Sequence, residues 1–200
     1  MTLSSTMTRA RLAPLVVIAG PGVPVPGWVR DWTGDEPAVA VADSRAAVVS
    51  AADRGLDGPL LVLRSGVPTT PRRVVAAVQE HAADSPVVEA AVSVTESCGA
   101  GLRIVHAVPR SFGERSVGLD AAVERGRRLV DAAARSSAAD GELVRAWPHE
   151  VLDETLTADL LVIGGLRPPP ARHRPAELGL TTRAALLHAP CPVLVVPRAC

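Results

Sequence analysis

The feature that most constrains this chain is a pair of short runs, Leu160-Leu-Val-Ile163 and Val193-Leu-Val-Val196, in which every residue is apolar. A strand with one wet face alternates polar and apolar residues. A strand with no polar residue must be covered on both faces. Parallel sheets are covered in this way, because the helices that connect parallel strands lie across the sheet faces. Between the two runs stand a glycine turn, Gly164-Gly165, then a loop, then a helical stretch over Thr181 to His188. Strand, glycine turn, helix and strand in this order form the unit with which a parallel sheet builds an anion cradle at its strand ends.

The same alternation extends upstream to residue 72. Val74 to Val78 reads as a strand. Asp84-Ser85-Pro86 opens a helix, with Ser85 as the cap and Pro86 at the first helical position; the helix runs to about Cys98 and stops at Gly99 or Gly101. Leu102 to Val108 is the next strand. A long helix follows over Val117 to Ala139, with an apolar stripe of Leu119, Ala122, Val123, Leu129, Val130 and Ala133. Its wet side carries the pairs Glu124–Arg128 and Asp131–Arg135. Leu143 to Trp147 is predicted as a strand and His149 to Thr157 as a short helix. Residues 72–200 therefore predict an α/β fold, a doubly wound, five-stranded parallel sheet in three α/β/α layers.

The first third of the chain is organised differently. Residues 1–13 read as a disordered tail. Arg9-Ala-Arg11 and Leu12 to Ala19 faintly resemble a secretion signal, but Gly20-Pro-Gly-Val-Pro-Val-Pro26 stands where a small-residue cleavage site belongs. Residues 14–71 read as a partial α/β segment that ends in a linker at 64–72. Its strands are Leu15 to Ala19, Val39 to Ala42 and Leu60 to Leu63, and its helix starts at Asp43-Ser44 and stops near Gly55. Trp28 and Trp32, four apart, share one face of a helical turn and cap the adjacent core. Val41 to Asp53 and Leu60 to Gly66 follow the same plan as Arg145 to Gly165, so the segment reads as an eroded first copy of a repeat. It has too little surface to bury alone and is expected to pack on the 72–200 domain or on a partner.

Composition excludes several classes. The chain has only three Trp, one Phe and no Tyr, so the core must be built from Val, Leu and Ala. Net charge is zero, all 21 basic residues are Arg, and no block of five like charges occurs, which argues against a nucleic-acid partner. Cys98, Cys191 and Cys200 are too scattered for a disulfide framework or a zinc site, which fits a reducing cytoplasm. No apolar run approaches the roughly 20 residues of a membrane span. No catalytic or metal-binding motif occurs: G-x-S-x-G, G-x4-G-K-[S/T] and G-x-G-x-x-G are all absent. His106 and His188 stand at a strand end and a helix end and read as structural. Cys191, between two prolines, reads as a small core residue.

Gly101-Leu-Arg-Ile-Val-His-Ala-Val-Pro109, the turn at Gly164, and Leu178-Gly-Leu-Thr-Thr-Arg through Pro197 together resemble the universal stress protein family over 72–200. The resemblance implies a sheet order of 3-2-1-4-5. It also implies a homodimer through the last strand, with Val193, Leu194, Val195 and Val196 as the edge. ATP-binding members carry an Asp at the end of the first strand and a G-x2-G-x9-G-[S/T] phosphate motif. Here Gln79 stands where the Asp is expected, and Glu80 where a small residue is usual. Gly164 opens the phosphate motif and Gly165 follows it. Arg167 replaces the next glycine, and Pro168-Pro-Pro170 and Pro175 remove backbone donors. Gly179 matches the third glycine, while Leu180 replaces the hydroxyl residue, with Thr181 and Thr182 beside it as substitutes. Arg167, Arg172, His173 and Arg174 bring positive charge suited to phosphate. The nucleotide contacts implied are thus Gln79, Val105, Gly164, Gly165, Arg167, Gly179, Thr181 and Thr182.

Two functional readings stay open. One is a dimeric regulatory or interaction module, possessing no cofactor and no ordinary ATP binding, that meets itself or a protein partner. The other is a nucleotide-binding stress sensor whose altered loop takes ATP, AMP or a related anion weakly. An enzyme of the wider adenine-nucleotide group lacks its Ser-Gly-Gly or His-x-Gly-His signature here, so no catalytic residue and no metal is expected.

Overall fold

A computed structural model describes residues 15–53, 58–66, 70–80, 84–109, 118–152, 156–165 and 178–198. The expected tail at 1–13 and Arg167 lie outside these residues. The strands are β1 (Val16–Ala19), β2 (Ala38–Val41), β3 (Leu60–Val62), β4 (Arg73–Ala77), β5 (Gly101–Ala107), β6 (Asp140–Val144), β7 (Leu160–Gly164) and β8 (Val193–Val196). The helices are α1 (Gly27–Thr33), α2 (Arg45–Asp53), α3 (Ser85–Cys98), α4 (Leu119–Ser137), α5 (Pro148–Val151) and α6 (Leu180–His188).

All eight strands form one sheet in the order β2-β1-β3-β8-β7-β4-β5-β6. The expected sheet of five, preceded by a separate partial segment, is corrected on this point. From β6 to β8 the sheet keeps the 3-2-1-4-5 order, all parallel. The first three strands form a second parallel group, which joins β8 through an antiparallel pairing of Leu60 with Val195, Leu61 with Leu194 and Val62 with Val193. The edge expected for a second copy at Val193 to Val196 is therefore taken by the chain's own β3. Both flanks of β8 are hydrogen-bonded, and a homodimer through it requires β3 to leave. The reason lies in the residues: Leu60, Leu61, Val193 and Leu194 are fully buried, and an apolar strand left as an open edge is a liability that folds cover.

Helices cover both faces. One face carries α1, α3 and α4, whose core joins Trp28, Trp32, Val87, Ala91, Val94 and Ala133 to inward residues of the sheet. The other carries α2, α5 and α6, with Val48, Ala52, Ala185 and Leu186 over Ile18, Leu60, Leu161 and Val193. The two tryptophans lie 6.4 Å apart between ring centroids on α1 and pack toward α3, where Trp32 Nε1 donates to Ser93 Oγ at 3.1 Å. Cys191 is buried, and burial pushes its thiol up to about 11, which fits an inert core residue.

Several element ends shift from the sequence reading. β6 starts at Asp140 rather than Leu143, because its register is set by β5, with Arg103 opposite Asp140. As the outermost strand it tolerates the polar Asp140 and Glu142 that hid its start. α5 is a single turn, Pro148–Val151. Ser85 lies inside α3 instead of capping it, and its hydroxyl donates to Glu89 Oε1 at 2.9 Å. Ser44 does cap α2, accepting from the Ala47 amide at 3.2 Å. Gly126 of α4 has a packing reason: a Cβ there would stand 2.7 Å from Leu143 and 2.8 Å from His106, so only glycine lets α4 settle onto β5 and β6.

Two sets of polar contacts tie distant parts together. Arg45 Nη1 and Arg64 Nη2 donate to the carbonyls of Leu187 and Leu186 in the last turn of α6, groups that have no partner within the helix. At the start of the central strands, Asp159 Oδ2 accepts from the Arg72 and Arg73 amides at 3.0 Å each, and Oδ1 accepts from Arg73 Nη2 at 3.2 Å. Burial acts to raise the Asp159 pKa, but the Arg73 side chain and the two amides outweigh it and hold it below the usual carboxylate range. A depressed pKa adds stability above the unfolded value, about 3.9, and that stability is lost as pH falls through the folded pKa. Asp159→Asn should cost about 1–3 kcal/mol at pH 7 in urea unfolding, and the gap to wild type should narrow at pH 3. An equal gap at both pH values would contradict this role.

Candidate functional site

β4 sits where the sheet order reverses: its chain leaves through α3 to β5 on one side, while β7 lies on the other. Such a switch point leaves a crevice beyond the strand ends. Here the crevice is a cleft of about 810 Å³. Its floor is the ends of β4, β5 and β7, one wall is the start of α6, and another is the face of α4 that bears Arg125 and Gly126. Of the residues implied as nucleotide contacts, Gln79, Val105, Gly164, Gly165, Gly179, Thr181 and Thr182 all line this one cleft.

Several of those groups already have partners. The Gly165 amide donates to the Val196 carbonyl at 2.7 Å, continuing the β7–β8 ladder. The buried Thr182 hydroxyl donates to the Gly164 carbonyl at 2.8 Å and ties the first turn of α6 to the end of β7. The first backbone bond within α6 is from the Arg183 amide to the Gly179 carbonyl at 2.9 Å. Gly179 provides no side-chain cap, so the amides of Leu180, Thr181 and Thr182 precede any helical acceptor. Leu180 is 87% exposed at the rim and leaves the interior of the cleft open. On the opposite wall, His106 Nδ1 lies 2.8 Å from the Val78 carbonyl. A carbonyl only accepts, so Nδ1 carries the proton and the ring is a strut between β5 and the end of β4.

The charged centre of the cleft is a pair that sequence reasoning missed. Asp84, just before α3, is 1% exposed. Its Oδ2 accepts from the backbone amides of Gln79 and Glu80, the latter at 2.7 Å. Its two oxygens also receive Arg198, with Nε to Oδ1 at 2.6 Å and Nη2 to Oδ2 at 2.8 Å. A carboxylate thus stands at the end of the first strand after all, delivered from five residues beyond Gln79. The wall that Gln79 alone would leave uncharged holds a neutralised ion pair. The hydrogen bonds that the Arg198 guanidinium donates to Asp84 hold it above its ordinary pKa. The Arg198 stem lies flat on Gly164: a Cβ there would come within 2.9–3.1 Å of its Nε, Cγ and Cδ. Gly164 therefore has a packing reason of its own, because it admits the arginine. The only local signal for Asp84 was its place ahead of Ser85-Pro86, which reads equally as a helix start. Nothing local links it to Arg198, 114 residues away.

Asp84→Ala would leave two amides without their acceptor and a guanidinium without its counter-charge. It should cost about 3–5 kcal/mol at neutral pH in chemical unfolding, the range for breaking a buried pair. A loss below about 1 kcal/mol would show that the carboxylate does not hold the loop.

Comparison with known proteins agrees with this architecture. The sequence model described as the universal stress protein family matches residues 70–197, well over half of the chain. No curated protein matches the chain. Among solved structures, the universal stress protein UspA from Lactobacillus plantarum is 20% identical with a TM-score of 0.50, over 64% of this chain and 98% of that one. A putative universal stress protein from Pseudomonas aeruginosa UCBPP-PA14 is 14% identical with a TM-score of 0.58, over 94% of both chains, so that likeness of fold extends into the N-terminal strands. A universal stress protein solved in complex with cAMP is 20% identical with a TM-score of 0.51, over 65% of this chain and 99% of that one. On the extent of the family match, the chain belongs to the universal stress protein family.

Proposed function

We propose that this chain is a non-enzymatic regulatory or interaction module of the universal stress type, and that its cleft does not take ATP in the ordinary way. The observation that carries this reading is the Asp84–Arg198 pair, which lies across the cleft with the arginine stem on Gly164. An ordinary phosphate cradle offers free backbone amides around its glycines. Here the Gly165 amide and the Thr182 hydroxyl are spent inside the fold, and an arginine covers Gly164.

A second reading, a nucleotide sensor with an altered loop, is favoured by one feature. The cleft of about 810 Å³ remains large enough for a small-molecule ligand, and the uncapped start of α6 faces it. The related structure in complex with cAMP fits that reading as well. Thermal-shift titration of the purified protein with Mg-ATP, ADP, AMP and cyclic nucleotides separates the two. The proposal expects no saturable shift. A sensor at 100 times its Kd gains about 2.7 kcal/mol, which for a chain of this size is a rise of about 5–10 °C.

A further inference from the structure

Asp84 and Arg198 are not equivalent partners. Asp84 is pinned from the protein side: the Gln79 and Glu80 amides hold Oδ2, one of the two oxygens that Arg198 engages, so the carboxylate keeps two donors if the arginine departs. Arg198 lies beyond β8, outside every described helix and strand, and its side chain reaches the cleft. Its stem rests on Gly164, the last residue of β7, which has no side chain to obstruct it. The pair thus joins an anion held by the loop to a cation held through its side chain, and that cation covers Gly164.

We infer that Arg198 is a latch, and that its pairing with Asp84 keeps the Gly164 end of the cleft closed to phosphate-bearing nucleotides. This rests on the proposal that the cleft is not an ordinary ATP site, and supplies its cause. With the latch closed, Asp84 occupies the guanidinium with an internal carboxylate, and the arginine stem fills the space above Gly164. With the latch open, the space above Gly164 is added to the leading amides of α6, which already face the cleft. A ligand that binds only the open form has its affinity reduced by the fraction of molecules that are open. Breaking the pair removes that penalty.

The test is calorimetric titration of AMP into the full chain, comparing wild type with Arg198→Ala and with Asp84→Asn. The first removes the plug outright, from a position outside the sheet. The second keeps an acceptor for the loop amides while weakening the hold on the arginine. Circular dichroism and a thermal melt confirm that each is folded. Both variants should bind AMP at least tenfold more tightly than wild type. If both are folded and neither they nor wild type bind AMP, the latch is overturned, while the absence of ordinary nucleotide binding in wild type still stands. If wild type binds as tightly as the variants, the latch and the proposed function both fall. If wild type binds measurably and the variants bind tenfold better, the latch stands and the reading without nucleotide falls.

Discussion

Three residue pairs, Leu60 with Val195, Leu61 with Leu194 and Val62 with Val193, join two parallel sheets that run in opposite directions. Each of these strands is apolar on both faces and needs a neighbour on both sides. β8 has β7 on one flank and β3 on the other; β3 has β1. Without the junction, the N-terminal strands would be a three-stranded fragment with little core, and β8 would be an open hydrophobic edge. The junction also sets where crevices fall. Because β3 runs against β8, the ends of β1 and β3 lie beside the starts of β7 and β8. A smaller cavity of about 230 Å³ there is lined by Leu63 and Arg64 together with Asp159 and Pro192. The large cleft opens at the other end of the sheet, at the ends of β4, β5 and β7.

The N-terminal segment supports the large cleft without touching it. Arg45 and Arg64 hold the last-turn carbonyls of α6, and Thr182 fixes its first turn to Gly164. The helix is therefore held at both ends, with its uncapped start directed at the cleft. At the opposite wall, Asp84 gathers the β4–α3 loop and Arg198 into one unit. Both walls of the cleft are thus fixed by side-chain contacts that reach across the sheet.

The elements themselves were legible because their apolar patterns are local. The runs at Leu160 and Val193 gave parallel, doubly covered strands, and β8 lies over the residues expected for it, Val193–Val196. Where polar residues enter an outer strand, as at Asp140 and Glu142, the pattern failed and the boundary moved. The merging of both segments into one sheet was not legible. The pattern of Leu60 to Val62 demands a cover, but it does not say which strand supplies it. The candidate cleft was legible in the positions of Gln79, Gly164, Gly179 and Thr182, which the fold brings together. Its charge was not. The carboxylate at the end of β4 comes from Asp84, and its partner, Arg198, stands 114 residues away in the sequence.

Amide hydrogen exchange, residue by residue, tests the shared sheet most directly. If β3 completes the sheet, the amides of Leu60–Val62 and Val193–Val196 exchange only through global unfolding, as slowly as those of β4 and β7. If the amides of β3 and β8 exchange orders of magnitude faster while β4 and β7 stay protected, the N-terminal strands are a detachable appendage, and the account of a single eight-stranded sheet is contradicted.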